Sequence, residues 1–221
     1  MYKKDTFRHL DNKHDAHLYT GLQGYIMRNG HKDLEKFREN KKEFKNILEV
    51  GGGSTPHIRF IKHPFKEYTI IETSDFVINN VNSDKFKVVR YDGKKIPFEN
   101  ENFDRVIISH CLEHISFPEE FIFEMMRVLK SGGVLSISLP TDPGLAWRIG
   151  RLYVKLFKVG KTYKINSEEF EYLNSTEHVN SIFNLRSILK YHFKKKMQES
   201  FYPFKLGLID LNLIYNVHIY K

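Results

Sequence analysis

Short apolar runs separated by helical patterns dominate the chain from residue 46 onward. The sequence predicts five strands in this part, at residues 46–50, 68–72, 86–90, 103–109 and 133–139. Between the last two strands, the apolar residues Ile122, Met125, Met126 and Leu129 have the spacing of one helix face. Pro118 suits the first turn of that helix, and residues 131–133 are predicted to end it. Strands that alternate with helices predict a parallel sheet covered on both sides.

The two ends of the chain have looser patterns. The first 45 residues are polar, with a predicted helix over 33–42, and residues 141–176 are aromatic and basic without an obvious strand. A helix is predicted over 181–193. Two late apolar runs, 198–202 and 211–220, predict strands, and their short connection favours an antiparallel pair at the edge of the sheet.

Composition limits the class of protein. With 221 residues and 41% apolar residues, the chain is expected to fold as one globular domain. It has no run of about 20 apolar residues and no apolar N-terminal segment, so we expect neither a membrane span nor a signal peptide. The single cysteine, Cys111, cannot form an internal disulfide, which fits a reducing compartment. We therefore expect a cytoplasmic protein.

The formal net charge of +8 suits RNA, an anionic membrane surface or a phosphorylated substrate. The basic residues are scattered, apart from the run Lys194–Lys196. We therefore interpret most of the charge as solvated surface and expect no nucleic-acid partner.

Two features point to a nucleotide. The stretch Glu49–Thr55 (EVGGGST) places a glycine-rich turn after the first predicted strand, where glycines allow positive φ angles and close approach of a ligand. Such a turn is about as often a structural connection as a ligand loop. Glu72 ends the second strand, 21 positions after Gly51, and a carboxylate at this spacing can accept hydrogen bonds from both ribose hydroxyls. The two features suit a nicotinamide dinucleotide equally well.

A third stretch separates these possibilities. Residues 91–104 (YDGKKIPFENENFD) resemble a segment found across class I S-adenosylmethionine-dependent methyltransferases. Residues 106–115 (VIISHCLEHI) and 127–133 (RVLKSGG) continue the resemblance, which covers about residues 46–140 in register. The glycine pattern departs from that family at Thr55, and after Pro140 the match is one of architecture alone.

The resemblance implies an α/β, Rossmann-like fold: a seven-stranded, mostly parallel sheet with helices on both faces and an antiparallel C-terminal strand. We expect one domain, residues 1–221, made of four segments. These are an N-terminal helical lid (1–45), a cofactor-binding core (46–140), a substrate-cap insertion (141–180), and a final helix with edge strands (181–221).

The resemblance also implies the cofactor S-adenosylmethionine, with S-adenosylhomocysteine as product. Glycines 51 and 53 are expected beside the methionyl part, Glu49 near its ammonium, and Glu72 on the ribose. Asp92 and the backbone of Gly93 are expected to recognise adenine. The full set of expected cofactor-binding residues is Glu49, Gly51, Gly53, Glu72, Thr73, Asp92, Gly93, Ser109 and His110.

An oxygen acceptor usually has to lose a proton, and histidine is the commonest base near neutral pH. The expected catalytic residues are His110 and His178. The polar cluster 175–180 around His178 suits either a helix cap or a substrate-facing loop. Packing is the better interpretation of Cys111. The expected substrate-binding residues are Tyr19, Tyr25, Glu113, His114, Arg148, Glu177 and Asn180.

These expectations favour methyl transfer, as O-methylation, to a small molecule or a surface-polysaccharide precursor. Arg148 and Arg151 could receive a phosphate on such a substrate. The alternatives are an RNA or protein methyltransferase, a nicotinamide-dependent oxidoreductase, and a binding module without catalysis. We expect no metal site, because Asp142 alone cannot hold a divalent ion. The oligomeric state and the acceptor stay open.

Overall fold

The computed structural model describes residues 21–36, 43–53, 56–81, 83–157 and 166–221, and their strands form one seven-stranded sheet. The strands are β1 (Asn46–Val50), β2 (Glu67–Glu72), β3 (Lys87–Arg90), β4 (Phe103–Ser109), β5 (Leu129–Pro140), β6 (Met197–Tyr202) and β7 (Ile214–Tyr220). Their order is β3-β2-β1-β4-β5-β7-β6. Strands β1 to β5 are parallel, and β7 is antiparallel to both β5 and β6. The predicted fold is confirmed.

Six α-helices accompany the sheet in the described part of the chain. They are α1 (Gly21–Leu34), α2 (Asp75–Asn80), α3 (Pro118–Val128), α4 (Leu145–Phe157), α5 (Ser167–Glu177) and α6 (Ile182–Phe193). Single 3₁₀ turns occupy residues 57–60, 112–114, 194–196 and 209–211. None of the helices in the described ranges is long and apolar enough to cross a membrane.

The larger apolar core lies on one face of the sheet. Because side chains alternate along a strand, Leu48 and Val50 share this face with every second residue of the neighbouring strands. The predicted apolar stripe of α3 and the apolar side of α6 cover it. The predicted helix over 181–193 is confirmed, and Ser181 caps it by accepting a hydrogen bond from the Asn184 N–H.

The helix near the N-terminus was predicted in the wrong place. The structure has α1 at Gly21–Leu34, while the predicted helix over 33–42 overlaps it only at its start, and residues 37–42 lie outside the described ranges. Charged helix formers made the later segment look helical, whereas α1 contains three glycines of low helix propensity. Packing compensates: a side chain at Gly30 would collide with Ile214, so glycine allows α1 to lie directly on β7.

Two strand boundaries also differ from the prediction. The last strand begins at Ile214 and not at residue 211, because residues 209–211 form a 3₁₀ turn. The strand after α3 begins at Leu129, so residues 131–133 belong to it and do not end the helix. The backbone of this stretch is paired with the C-terminus, where the Lys221 N–H donates to the Gly133 carbonyl.

The sheet face beneath α1 carries a buried polar network. Arg105 in β4, which is 0% exposed, forms an ion pair with Glu35 at 2.8 Å and donates from Nε to the Ser136 hydroxyl at 3.0 Å. Glu35 also accepts a hydrogen bond from the ring of His57 at 2.8 Å. Burial raises the pKa of Glu35, but the Arg105 guanidinium and the His57 ring together outweigh burial and hold the pKa well below its ordinary value. The charge of Glu35 is therefore maintained inside the protein by its partners.

We expect Arg105→Met to lower the free energy of unfolding by about 3–5 kcal/mol, because it leaves the Glu35 charge buried without its main partner. Urea unfolding followed by circular dichroism measures this change. The control is Arg90→Met, which removes an exposed ion pair with Asp75 and should cost at most about 1 kcal/mol. Glu35→Met/Arg105→Met should recover part of the loss. Equal losses from Arg105→Met and Arg90→Met would contradict the prediction.

Candidate active site

The strand register brings the predicted cofactor residues to one edge of the sheet. Val50 at the end of β1 pairs with Ile71 of β2 and with Ile108 of β4, and Glu72 pairs with Arg90 at the end of β3. The carboxyl ends of the four strands are therefore level. The segments that follow them hold the glycine turn, Thr73, Asp92 and Ser109, and this edge is where open α/β sheets bind ligands.

The glycine turn after β1 requires glycine at its first position. Gly51 has a φ of +65°, and its N–H donates to the Ile71 carbonyl at 2.9 Å. A β-carbon at this position would lie 2.7 Å from the Cys111 sulfur, so both the backbone conformation and the space exclude a side chain. The turn thereby leaves its backbone open to a ligand at the carboxyl edge.

Glu72 is joined to this turn through backbone amides. The carboxylate is 7% exposed, and Oε1 accepts hydrogen bonds from the N–H groups of Thr73 and Ser74 at 2.8 and 3.1 Å. Oε2 accepts one from the Gly53 N–H at 3.3 Å. Backbone donors thus fix the carboxylate between the end of β2 and the glycine turn.

Glu49 is buried behind the turn, with both carboxylate oxygens engaged by the protein. Oε1 accepts from the His57 N–H at 2.7 Å, and Oε2 is 2.6 Å from the Tyr68 hydroxyl. Burial raises the pKa of Glu49 to about 7. Through its contact with His57, Glu49 stabilises the segment that follows the glycine turn.

Asp92 lies in an exposed turn after β3. Its Oδ1 accepts hydrogen bonds from the N–H groups of Lys94 and Lys95 at 2.9 and 3.1 Å, and these bonds lower the pKa of the carboxyl. Gly93 is the next residue of the same turn. The turn borders an open cavity of about 550 Å³ whose wall includes the apolar side chains of Tyr91 and Phe98.

Histidines gather at the end of β4. His110 has a φ of +51°, and burial together with the nearby His178 and His114 lowers its pKa to about 3. Ser109 lies beside it, with its hydroxyl 3.5 Å from Nδ1 of His31 on α1. His110 is therefore a neutral side chain at neutral pH.

A second histidine is oriented by a carboxylate. Nδ1 of His178 lies 2.7 Å from Oδ2 of Asp142, in the segment after β5, and this carboxylate also binds the Arg151 guanidinium. The His178 ring packs edge-on against the His114 ring, with centroids 5.0 Å apart. Because Asp142 engages Nδ1, the structure favours the His178 tautomer that leaves Nε2 able to accept a proton.

Glu113 completes this cluster. It is 2% exposed, and burial raises its pKa to about 7. One donor atom each from Glu113, His114 and His178 lies within 4.8 Å of the others, so the three residues could hold a cation. The expectation of no metal site therefore stays a prediction.

Buried polar atoms without a hydrogen-bond partner concentrate in the same place. Among the described residues they include Nε2 of His110, Oε2 of Glu113, Oδ1 of Asp142 and Nε1 of Trp147. Buried polar groups are usually satisfied, so unsatisfied ones need an explanation. We call His110, Glu113, His114, Asp142, Trp147 and His178 the acceptor cluster, because the predicted catalytic histidines lie in it beside these unsatisfied atoms.

The other predicted substrate residues lie on several elements or outside the described part. Asn180 is a structural neighbour: its side chain donates to the Ile115 carbonyl at 2.6 Å and its N–H donates to the Glu113 carbonyl. Arg148 is exposed on α4, and Tyr25 is 56% exposed on α1. Tyr19 and the side chain of Glu177 lie outside the described residues.

The sequence did not predict the roles of two residues near the site. Asp142 was considered only as a metal ligand, yet it orients His178, and the pairing of residues 36 positions apart gives no local pattern. His31 was not considered, and it approaches both Ser109 and His57. Its place on a buried stripe of α1 became visible only once that helix was located.

Comparisons with known proteins show which families and folds the chain is similar to. Residues 48–137 match the family described as "Methyltransferase domain". The chain is 34% identical over 98 residues to a demethylmenaquinone methyltransferase of Clavibacter sepedonicus, covering 42% of this chain and 40% of that protein. It is 28% identical over 144 residues to the ubiquinone/menaquinone biosynthesis C-methyltransferase UbiE of Ectopseudomonas mendocina, covering 58% and 56%. The chain spans about half the length of the curated relatives that it matches.

Among solved structures, the fold is similar to that of the plantazolicin methyltransferase BpumL in complex with S-adenosylhomocysteine. The TM-score is 0.62 at 16% identity, and the alignment covers 99% of this chain and 98% of that one. Residues 48–137 are thus similar to the methyltransferase-domain family, within a chain whose fold is similar to that of a solved methyltransferase.

Proposed function

We propose that the protein transfers the methyl group of S-adenosylmethionine to a hydroxyl group of a small molecule or glycan precursor. The observation that carries this proposal is the pairing of two sites at one sheet edge. The carboxylate of Glu72 and the glycine turn form one, and the acceptor cluster with its unsatisfied polar atoms forms the other.

The residues of the first site fit the cofactor. Glycines 51–53 carry no side chains at this edge, and the carboxylate of Glu72, held by backbone amides at the end of β2, suits a ribose acceptor. Asp92 and Gly93 lie after β3, and Asp92 lines an open cavity together with the apolar side chains of Ile96, Pro97 and Phe98, beside which a purine could pack. Ser109 ends β4, which lies next to β1 in the sheet, and His110 of the acceptor cluster follows it directly. When bound, the cofactor supplies an electrophilic methyl group, and the protein has to align the acceptor with it.

His178 is the proposed base. Asp142 holds its ring and stabilises the positive charge that the ring gains when it accepts the acceptor proton. Because the pKa of His110 is lowered, its ring stays neutral at neutral pH. The ring can therefore form a hydrogen bond with the acceptor and line the site, but it brings no charge to it. Glu113 has a partnerless oxygen in the same cluster and is available to bind a polar group of the acceptor.

A carbon acceptor is the second candidate. The relatives named above include a C-methyltransferase of ubiquinone and menaquinone biosynthesis, at 28% identity. A phenolic ring becomes nucleophilic at carbon once its hydroxyl loses a proton, so the same base would serve. The position of the transferred methyl group in the product distinguishes the two candidates.

We expect Glu72→Gln to weaken the binding of S-adenosylhomocysteine at least about tenfold, because a charged acceptor of the ribose hydroxyls is lost. Isothermal titration measures the dissociation constant. Glu67→Gln changes an exposed carboxylate at the other end of the same strand and should leave the affinity unchanged. Absence of binding by the wild-type protein would refute the proposed function.

We expect His178→Ala to lower kcat by about 10²–10⁴-fold while cofactor affinity is retained, because the base is removed. The assay follows S-adenosylhomocysteine formation with the best acceptor from a panel of phenols, sugars and lipid-linked sugars. His192→Ala removes another histidine paired with a carboxylate and should have no effect.

Chelation provides a second control for His178. If its role is proton transfer, dialysis of the wild-type protein against a chelator leaves turnover unchanged. Loss of turnover on dialysis, with recovery on adding a divalent cation, would instead make His178 a metal ligand.

We expect the stability of the wild-type protein to fall with rising pH through Glu49. The pKa of Glu49 is about 7 in the folded protein and 4.5 ordinarily. The stabilisation of the folded state by protonated Glu49 is therefore complete below pH 4.5 and is lost as the pH rises through 7. Glu49→Gln stays neutral. The difference in the free energy of unfolding between Glu49→Gln and the wild type should therefore shift in favour of the variant by up to about 3 kcal/mol from about pH 5 to pH 8. A pH-independent difference in urea unfolding would contradict this.

A further inference from the structure

Helix α4 has the opposite orientation from an ordinary surface helix. Residues 145, 149, 152 and 156 are apolar, lie on one helix face and are 50–65% exposed. Arg151 lies off this face and pairs with the buried Asp142, and Lys155 at the flank of the helix pairs with the exposed Glu171. None of the residues of α4 is fully buried. The apolar face of the helix is therefore turned outward.

The loop between β6 and β7 continues this apolar surface. Asp210 in the loop accepts a hydrogen bond from the Leu145 N–H at the start of α4, at 3.0 Å. A side chain at Gly144 would meet the carbonyl oxygens of Thr141 and Ile209, so the two segments are in close contact. The exposed apolar residues of the combined surface, which we call the apolar patch, are Leu145, Ile149, Leu152, Tyr153, Leu156, Phe157, Phe204, Leu206, Leu208 and Leu211.

The loop is rigidly built. The buried side chain of Asn212 accepts a hydrogen bond from the Phe204 N–H and donates to the carbonyls of Leu206 and Leu208, at 2.8–2.9 Å. The hydrogen bonds of Asn212 therefore fix the backbone of the loop in a conformation that leaves its apolar side chains exposed to solvent. Ten of the eighteen exposed large apolar side chains in the described part of the chain belong to this patch, more than a monomer in water ordinarily tolerates in one place.

The charges around the patch indicate its partner. Arg148 and Lys205 are exposed beside the apolar side chains, while the nearby carboxylates of Asp142, Asp210 and Glu171 each accept a hydrogen bond from another residue of the protein. The whole chain carries a formal charge of +8. Exposed leucines and aromatics with basic neighbours are the features of a helix that lies in the surface of an anionic bilayer.

The patch also lies beside the acceptor cluster. Both α4 and the β6–β7 loop are at the carboxyl edge of the sheet, since α4 follows β5 and the loop follows β6, which runs in the same direction. The inner side of α4 supplies Trp147, whose ring centroid is 6.4 Å from that of His178. One side of the helix therefore belongs to the cluster while the other meets the surroundings.

We propose that the apolar patch docks the protein on an anionic membrane surface, with α4 parallel to the membrane plane. Resting on the proposed function, this arrangement presents the acceptor cluster to acceptors carried by membrane lipids. The binding itself depends on the patch alone and requires neither cofactor nor acceptor.

Cosedimentation with lipid vesicles tests the proposal. The wild-type protein should bind phosphatidylcholine vesicles that contain about one-third phosphatidylglycerol more tightly than vesicles of phosphatidylcholine alone. Leu152→Glu and Ile149→Glu should each lower the partition onto anionic vesicles at least about tenfold. Arg148→Ala should lower it about fivefold and reduce the preference for anionic lipid.

The matched control is Tyr191→Glu in α6. It replaces an aromatic side chain that is 85% exposed, and that is distant from the patch in sequence, with a charged one. Its vesicle binding should equal that of the wild type. Circular dichroism and titration with S-adenosylhomocysteine establish that each variant is folded.

Three results would overturn the proposal. One is a wild-type protein that does not bind vesicles. The second is a Leu152→Glu variant that binds as the wild type does. The third is a dimer, detected by sedimentation equilibrium and abolished by Leu152→Glu, in a protein that does not bind vesicles. Vesicle binding by a protein that fails to bind S-adenosylhomocysteine would refute the proposed function and leave the docking surface standing.

Discussion

The ion pair between Arg105 and Glu35 allows a charged sheet face to be buried beneath α1. A guanidinium with no exposure is stable there because a carboxylate, a hydroxyl and an imidazole meet its donors. The same carboxylate accepts from His57, whose backbone N–H in turn binds Glu49 behind the glycine turn. The interaction that fastens the N-terminal helix to the sheet is thus connected, through two further residues, to the loop at the carboxyl edge.

Three buried carboxyl groups near that edge differ in what their surroundings allow. Glu72 accepts hydrogen bonds from backbone amides, which hold its side chain in a fixed position. Glu49 lies in a closed site, where burial favours the protonated form. Burial also raises the pKa of Glu113, one of whose oxygens has no hydrogen-bond partner in the protein. The same functional group therefore has different properties according to its neighbours.

Local patterns predicted much of the core but little of the acceptor side. The strands, the helix over 181–193 and the residues of the glycine turn could be located because apolar spacing and turn residues act over a few positions. His178 and Asp142 meet only because the segments after β5 and α5 fold together, and neither neighbourhood indicates the other. The position of α1 depended on the contact of Gly30 with Ile214, between residues at opposite ends of the chain. These features depend on long-range packing, which the periodicity of the sequence does not reveal.

The contact between Gly51 and Cys111 has a consequence for the chemistry of the only thiol in the chain. Burial raises the pKa of Cys111, so the thiol is protonated at neutral pH although its side chain is only partly buried. The thiol beside the glycine turn is thereby kept in its weakly nucleophilic form by its surroundings.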